Sequence, residues 1–339
     1  MAHETGQSFV FKEIHSNIAI GTASDRYAGW LGQIYTPEKY QGRIKKRTKK
    51  VGGKSFVEQV LPVDSIEEYF EHFGVLELDF TFYRPLRDEQ NRPTQNYHAL
   101  RSYAEHLKQG DRVILKVPQV FFAKKVWQKD MFGKNPHYLD ARGFVSQFYE
   151  PAVELMEPWL AGLLFEQEYH RKEERPAPRD VAEELDHFFD AIPDDHRYHV
   201  ELRTESFLSP EVFEVFHRHG IGQVLSHWTW LPSLKRQFNL VGRKFVSKSG
   251  DAIIRLMTPR GMRYEEAYAK AHPFDKLVDG VLQESMVRDT VDLAKEAIGQ
   301  GVRANIIINN RAGGNAPLIA QKVVNSFIRA IPGASESPV

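Results

Sequence analysis

The chain has 339 residues, no cysteine, and 45 basic side chains against 45 acidic ones. The missing thiol excludes a disulfide framework, a cysteine-ligated zinc or iron–sulfur centre and a cysteine nucleophile. Zero formal charge argues against a surface given over wholly to nucleic acid, and 42% apolar residues exclude a disordered chain.

Residues 1–17 are mixed and polar, lack the apolar core of a signal peptide, and read as an extension ahead of the first element. Residues 18–23 form the first strand. Residues 36–63 are a polar insertion that reads as loop and carries the basic run 43–50. The pattern then alternates. Strands are expected at 75–81, 112–117, 161–166, 198–203, 222–227, 252–257 and 303–309. Helices are expected at 64–73, 96–109, 142–157, 178–191, 209–219, 232–239, 283–298 and 314–330. Asp64-Ser65-Ile66-Glu67 resembles a capping box, Gly110 suits a C-cap, and Pro210 suits the first helical position. A second loop-like insertion covers 241–250, and 332–339 reads as a flexible tail.

Eight strand–helix repeats without intervening hairpins predict parallel βαβ units and an α/β fold, a single (β/α)8 TIM-type barrel over 18–331 with long loop insertions. The rival doubly wound sheet lacks its glycine signature, because Gly21-Thr22-Ala23-Ser24 does not have the required spacing. The longest apolar stretch, 159–165, is too short to cross a bilayer, so no membrane association and a cytoplasmic location are expected.

The strands carry charge where a barrel interior normally holds Val, Ile and Leu. In Val75-Leu76-Glu77-Leu78-Asp79-Phe80-Thr81, the apolar set must face the helices, which turns Glu77, Asp79 and Thr81 inward. The same alternation turns Glu201 and Arg203 inward. It also puts Lys116 on the face of Ile114, Glu166 on that of Leu164 and Arg255 on that of Ile253. His227 and Asn309-Asn310-Arg311 close their strands. All fall at carboxyl ends of strands, where barrel enzymes build active sites. Each buried ion costs several kcal/mol, so the set must be paired, solvated or both. Ion pairs that merely plug the barrel mouth are the plainer alternative.

Five blocks of the chain, which carry several but not all of these residues, resemble the YecE-like family, domain of unknown function 72. The blocks are Ile20-Gly21-Thr22-Ala23-Ser24 with Gly29-Trp30, Glu77 to Arg84, Glu201-Leu202-Arg203, Ile254-Arg255-Leu256, and Asn309 to Pro317. The resemblance implies a TIM-type barrel and supplies no reaction. Asp79 stands where the family usually has Asn, and Glu166 where Gln is common. Arg311 and Met257 stand in place of His, and Phe207 in place of Trp.

Several motifs admit two readings. Gly52-Gly53-Lys54-Ser55 fails as a phosphate-binding P-loop, because Thr48 occupies the position that needs glycine. The run 43–50 is a solvated loop or an anion-attracting lid. Gly313-Gly314 is a tight turn or a phosphate site at a helix start. Lys116 is an ion-pair partner of Glu77 or Asp79, or an amine with a lowered pKa. Tyr83 and Trp30 stack on a ligand or close the barrel top.

The expectation is a site for a small anionic or polyhydroxylated ligand at the carboxyl mouth. Glu77, Glu201 and Lys116 form the catalytic set, with the two glutamates as general acid and base. Arg203 and Arg255 hold anionic groups, Asn309 and Asn310 orient the ligand, and Asp79, Tyr83, His227, Gly313 and Gly314 complete the contacts. One alternative is a non-catalytic barrel that binds nucleic acid or protein through 43–50. Another is a divalent-metal hydrolase or isomerase using Glu77, Asp79, Glu166, Glu201 and His227. The cations in the same mouth weigh against it, and no metal or other cofactor is assigned. No oligomeric state follows.

Overall fold

The computed structural model describes residues 9–128 and 131–331. In chain order the strands are β1 (Ile18–Ala23), β2 (Lys45–Val51), β3 (Lys54–Val60), β4 (Val75–Leu78) and β5 (Val113–Lys116). They continue with β6 (Lys125–Gln128), β7 (Met131–Lys134), β8 (Leu160–Glu166), β9 (Tyr198–Glu201) and β10 (Gly222–Gln223). The last are β11 (Leu225–His227), β12 (Asp251–Leu256) and β13 (Arg303–Ile308).

The main sheet runs β10-β9-β8-β5-β4-β1-β13-β12-β11, parallel throughout. β10 and β11 are two halves of one strand, divided at Val224, whose N–H still bonds Val200 O at 2.9 Å. The ring is therefore the expected (β/α)8 barrel, with its sixth strand shared between β9 on one edge and β12 on the other.

Both faces of a parallel barrel sheet are covered, so its strands are buried along almost their whole length. β1, β4, β5, β8 and β9 are buried at every residue. Alternation sorts the two faces. Leu76, Leu78, Leu115, Phe165, Ile254 and Ile306 pack outward against the helices. Val75, Ile114, Leu164, Ile253, Met257 and Ile307 fill the interior. Helices such as Pro178–Ala191 and Ala316–Ala330 start with proline in the first turn and present one apolar face to the sheet.

Several expectations need correction. The insertion 36–63 is not plain loop: it holds a short helix, Pro37–Tyr40, and the antiparallel hairpin β2–β3. Gly52 and Gly53 make its two-residue turn, with φ of 55° and 78°, the left-handed geometry that favours glycine. A second hairpin, β6–β7, and a helix, Tyr264–Ala271, were also not expected. The helix predicted over 142–157 is Ala141–Phe144 and Glu150–Met156, joined by a π turn over Val145–Tyr149. β4 ends at Leu78 and β9 at Glu201, two or three residues short of expectation. The chain then turns into 3-10 segments, Phe80–Tyr83 and Glu205–Phe207. Segment 241–250 is irregular, as its composition suggests.

The described part of the amino-terminal extension packs on the barrel: Phe11 and Ile14 are buried, and Phe11 N–H bonds His72 O at 2.8 Å. The tail 332–339 lies outside the described residues. Among the described residues, no helix is long and apolar enough to cross a membrane.

Candidate functional site: a compensated charge network at the carboxyl end of the barrel

The inner residues at the carboxyl ends of β4, β5, β8, β9 and β12 are Glu77, Lys116, Glu166, Glu201 and Arg255. Strand register alone sets Glu166 directly beside Glu201. Two carboxylates so placed repel unless a cation lies between them. Arg255 supplies it. Its Nε and Nη2 donate to the two oxygens of Glu77 at 2.8 and 2.6 Å, a bidentate pair. Its Nη1 donates to Glu166 Oε2 at 3.1 Å and to Glu201 Oε2. All five donors of a guanidinium lie in one plane, which lets a single side chain serve three acids from three strands.

Lys116 and Arg203 complete the network. Lys116 Nζ lies 2.6 Å from Glu166 Oε2 and 3.9 Å from the centre of the Phe82 ring. Arg203, two residues past β9, reaches Glu166 Oε2 at 2.8 Å and Glu201 Oε1 at 3.4 Å. Its guanidinium lies 4.8 Å from the Trp228 ring centre. Three carboxylates thus meet three cations, and the cluster is neutral. Lys116 pairs with Glu166 across the β5–β8 boundary, not with the expected Glu77 or Asp79: Arg255 already holds both oxygens of Glu77, and Asp79 accepts from Ser24.

Burial sets the electrostatics. It pushes the Glu77 carboxyl above its ordinary value, with Arg255 and Lys116 pulling back. For Glu166 burial acts the same way, but Arg203, Lys116 and Arg255 converge on it and hold it well below the usual carboxylate range. Burial disfavours the Arg255 charge, yet Glu201, Glu77 and Glu166 keep it firmly protonated. Glu77, Glu201 and Arg255 are sealed from solvent, whereas the Arg203 side chain is 18% exposed. Of the two arrangements open to such a set, pairing and solvation, the core of the network uses direct pairing, with Arg203 at its solvent edge.

The remaining predicted residues surround this layer. Asp79 begins the turn after β4, is partly exposed, and accepts a 2.6 Å bond from Ser24 Oγ. Tyr83 is exposed in the same turn. Thr81 does not face a cleft. Its hydroxyl donates to Lys116 O at 2.6 Å and ties the turn to β5. His227 is buried, with Nε2 3.0 Å from Gln283 Oε1, and burial lowers its pKa to about 4, so it is neutral at pH 7.

Asn309 Oδ1 accepts from Arg311 N–H at 3.0 Å, which caps the turn after β13. Asn310 Oδ1 accepts from Trp30 Nε1 at 3.1 Å and Ala316 N–H at 2.8 Å, so Trp30 is buried and closes the top of the barrel. Gly313 and Gly314 do not offer free N–H groups to a phosphate. Both donate to Asn310 O, at 3.3 and 2.6 Å. Gly314 has φ of 112°, and a Cβ there would lie 2.3 Å from Lys276 O. This is the tight-turn reading.

The donor set considered for a metal does not gather. Its three glutamates are taken up by Arg255, Arg203 and Lys116, and His227 bonds elsewhere. Among the described residues, the one group of three donors close enough to share an ion is Asp186, Asp190 and His219, on the outer helices.

Sequence reasoning missed an aromatic shelf beside Arg203. Tyr169 follows β8, and Trp228 and Trp230 follow β11. The Tyr169 ring lies 6.2 Å from Trp228 and 5.9 Å from Trp230. The signal was present in Trp228-Thr229-Trp230 directly after a barrel strand.

Fold and site define a (β/α)8 barrel whose carboxyl end is closed by a neutral network of buried charges. The family described as Protein of unknown function DUF72 matches residues 19–337, and the chain belongs to it. A solved DUF72 family protein from Thermotoga maritima is 15% identical, with TM-score 0.56, over 92% of this chain and 99% of that one. One from Enterococcus faecalis is 14% identical, with TM-score 0.52, over 91% and 95%. At that identity the likeness concerns the fold. No curated protein matches the sequence.

Proposed function

We propose that the carboxyl mouth of the barrel binds a small anionic or polyhydroxylated ligand. The observation that carries this reading is Arg203: a guanidinium held on two buried carboxylates, with its outer edge at solvent. Neither of those contacts uses Nη1, which leaves a donor for a ligand. Lys116 and Arg255 lie behind it and fix its electrostatic setting. Glu77 and Glu201 are too deeply buried, and too fully engaged by Arg255, to touch a ligand directly; they act by positioning the cations. Any proton transfer at the mouth falls to Asp79, the partly exposed carboxylate beside Ser24 and Tyr83.

The test is a titration series with inorganic phosphate, glucose 6-phosphate, glucuronate and glucose. Charged ligands are expected to bind, and Arg203→Gln is expected to weaken them at least about tenfold, as loss of a charge-assisted bond does. Failure of every charged ligand to bind, or unchanged binding in Arg203→Gln and Asp79→Asn alike, refutes the reading.

A second reading rests on the β2–β3 hairpin, where Lys46, Thr48 and Lys50 share the outward, exposed face. It predicts salt-sensitive binding of DNA or RNA that is lost when Lys46 and Lys50 are neutralised. Binding that is absent or insensitive to salt removes it.

A further inference from the structure

Exposed apolar side chains scattered singly are ordinary, but ones grouped into a contiguous patch with a polar rim mark binding surfaces. Tyr169 is 40% exposed and Trp230 45%. Both sit on loops at the carboxyl face of the barrel, after β8 and β11, with β9 and Arg203 between them. Trp228 lies beneath, its ring covered on one side by the Arg203 guanidinium at 4.8 Å. Arg203 is anchored from below by Glu166 and Glu201. The aromatic surface and the partly exposed cation are therefore one contiguous feature.

The shelf is also held still. Thr229 Oγ1 donates to Met262 O at 2.7 Å, and Gly261 N–H returns a bond to Thr229 O at 3.1 Å. Leu231 N–H closes the turn on Trp228 O at 3.2 Å, and Arg260 Nε donates to Leu231 O at 3.1 Å. A surface fixed in advance loses little freedom when a ligand lands on it.

Ring geometry selects the occupant. The Tyr169 plane is inclined 34° to Trp230 and 53° to Trp228. Rings inclined in this way cannot both lie flat against one planar base. A puckered pyranose chair presents C–H groups in more than one direction, which suits rings of unequal inclination, and its hydroxyls remain free for the polar rim. The cation at the edge then calls for a negative substituent on that sugar.

We infer that Tyr169, Trp228 and Trp230 form a stacking platform for the apolar face of a pyranose ring whose anionic substituent, phosphate or carboxylate, is held by Arg203. This rests on the ligand-binding reading above and names its ligand class. The experiment follows tryptophan fluorescence and ligand saturation-transfer signals with glucose 6-phosphate, glucuronate, glucose and inorganic phosphate. The two charged sugars are expected to bind more tightly than phosphate alone, and the stronger of them identifies the anion. Trp230→Ala and Tyr169→Ala, both at exposed positions, are each expected to weaken the charged sugars about tenfold while leaving phosphate unchanged. Trp230→Phe is expected to restore most of the loss. Charged sugars no tighter than phosphate, or unaffected by Trp230→Ala, overturn the platform and leave the anion site standing. Phosphate and sugars that all bind equally well to Arg203→Gln overturn the anion site, and the platform with it.

Discussion

Asp25, just past β1, gives the sharpest quantitative test of the barrel mouth. It lies beneath the hairpin and is 2% exposed. Oδ1 accepts from Tyr103 OH at 2.9 Å, while Oδ2 is buried without a partner. It borders a cavity of about 70 Å³ shared with Asp79, Arg47 and Glu58. Burial raises its pKa from 3.8 to about 6, against the opposing pull of Arg26 and the Tyr103 bond. An acid whose folded pKa is raised stabilises the fold fully below its unfolded pKa, and loses that contribution as pH rises through the folded one. The interval from 3.8 to about 6 corresponds to about 3 kcal/mol. Asp25→Asn removes the titration. The amide adds a buried donor, but that cost is the same at every pH. The variant is therefore expected to gain about 3 kcal/mol on the parent between roughly pH 3 and pH 8. Denaturant unfolding across that range measures the difference between the two curves. Parallel curves, or a parent that gains on the variant as pH rises, would refute the assignment of a buried, poorly solvated carboxylate.

Two further expectations follow from the site. Glu166→Gln removes the negative charge on which Lys116, Arg203 and Arg255 converge and puts a donor NH2 among them. It should cost about 3–5 kcal/mol by denaturant unfolding, and adding Lys116→Met should recover part of that loss. Gly314→Ala forces a Cβ against Lys276 O in a left-handed backbone. It should destabilise by about 1–3 kcal/mol, read as a lowered Tm, without changing phosphate binding.

The inward charges were legible because alternation leaves no choice. Leu76 and Leu78 need the helices, so Glu77 needs the interior, and the same holds for Arg255 between Ile254 and Leu256. Strand ends were less legible, since they depend on bonds between distant segments: Thr81 reaches Lys116 O, 35 residues away. The β2–β3 hairpin was hidden for a related reason. β2 is almost wholly basic, and in β3 the apolar Phe56, Val57 and Val60 do not alternate regularly with polar residues, so neither strand shows a clean apolar face. The hairpin's inner face is buried by the stems of charged residues against a remote helix: Lys49 lies over the Tyr268 ring, and Glu58 accepts from Tyr268 OH at 2.5 Å. The role of Gly313-Gly314 could not be read from residue types either, because the acceptor that consumes their N–H groups, though only three and four residues upstream, is a backbone carbonyl, Asn310 O.

The charge balance of the network separates the two binding readings. Three carboxylates and three cations cancel at the barrel mouth, so an anion approaching Arg203 meets donors in fixed positions but little net potential. Its affinity must come from directed hydrogen bonds and ring contact, which salt screens weakly at short range. The hairpin is the opposite case. Its outward lysines hold no fixed geometry and attract by net charge, so polyanion binding there falls steeply with salt. Binding of a charged sugar that changes less than about threefold when salt is raised from roughly 50 to 200 mM belongs to the mouth. A sugar-binding constant that falls with salt as steeply as nucleic-acid binding would place its charge on the hairpin, and would remove Arg203 from the site. Gathering six charges, five of them buried, in an interior otherwise filled largely by apolar side chains has no advantage in stability, since well-packed apolar residues do as well or better. What the charges provide is a guanidinium that cannot rotate away from the mouth.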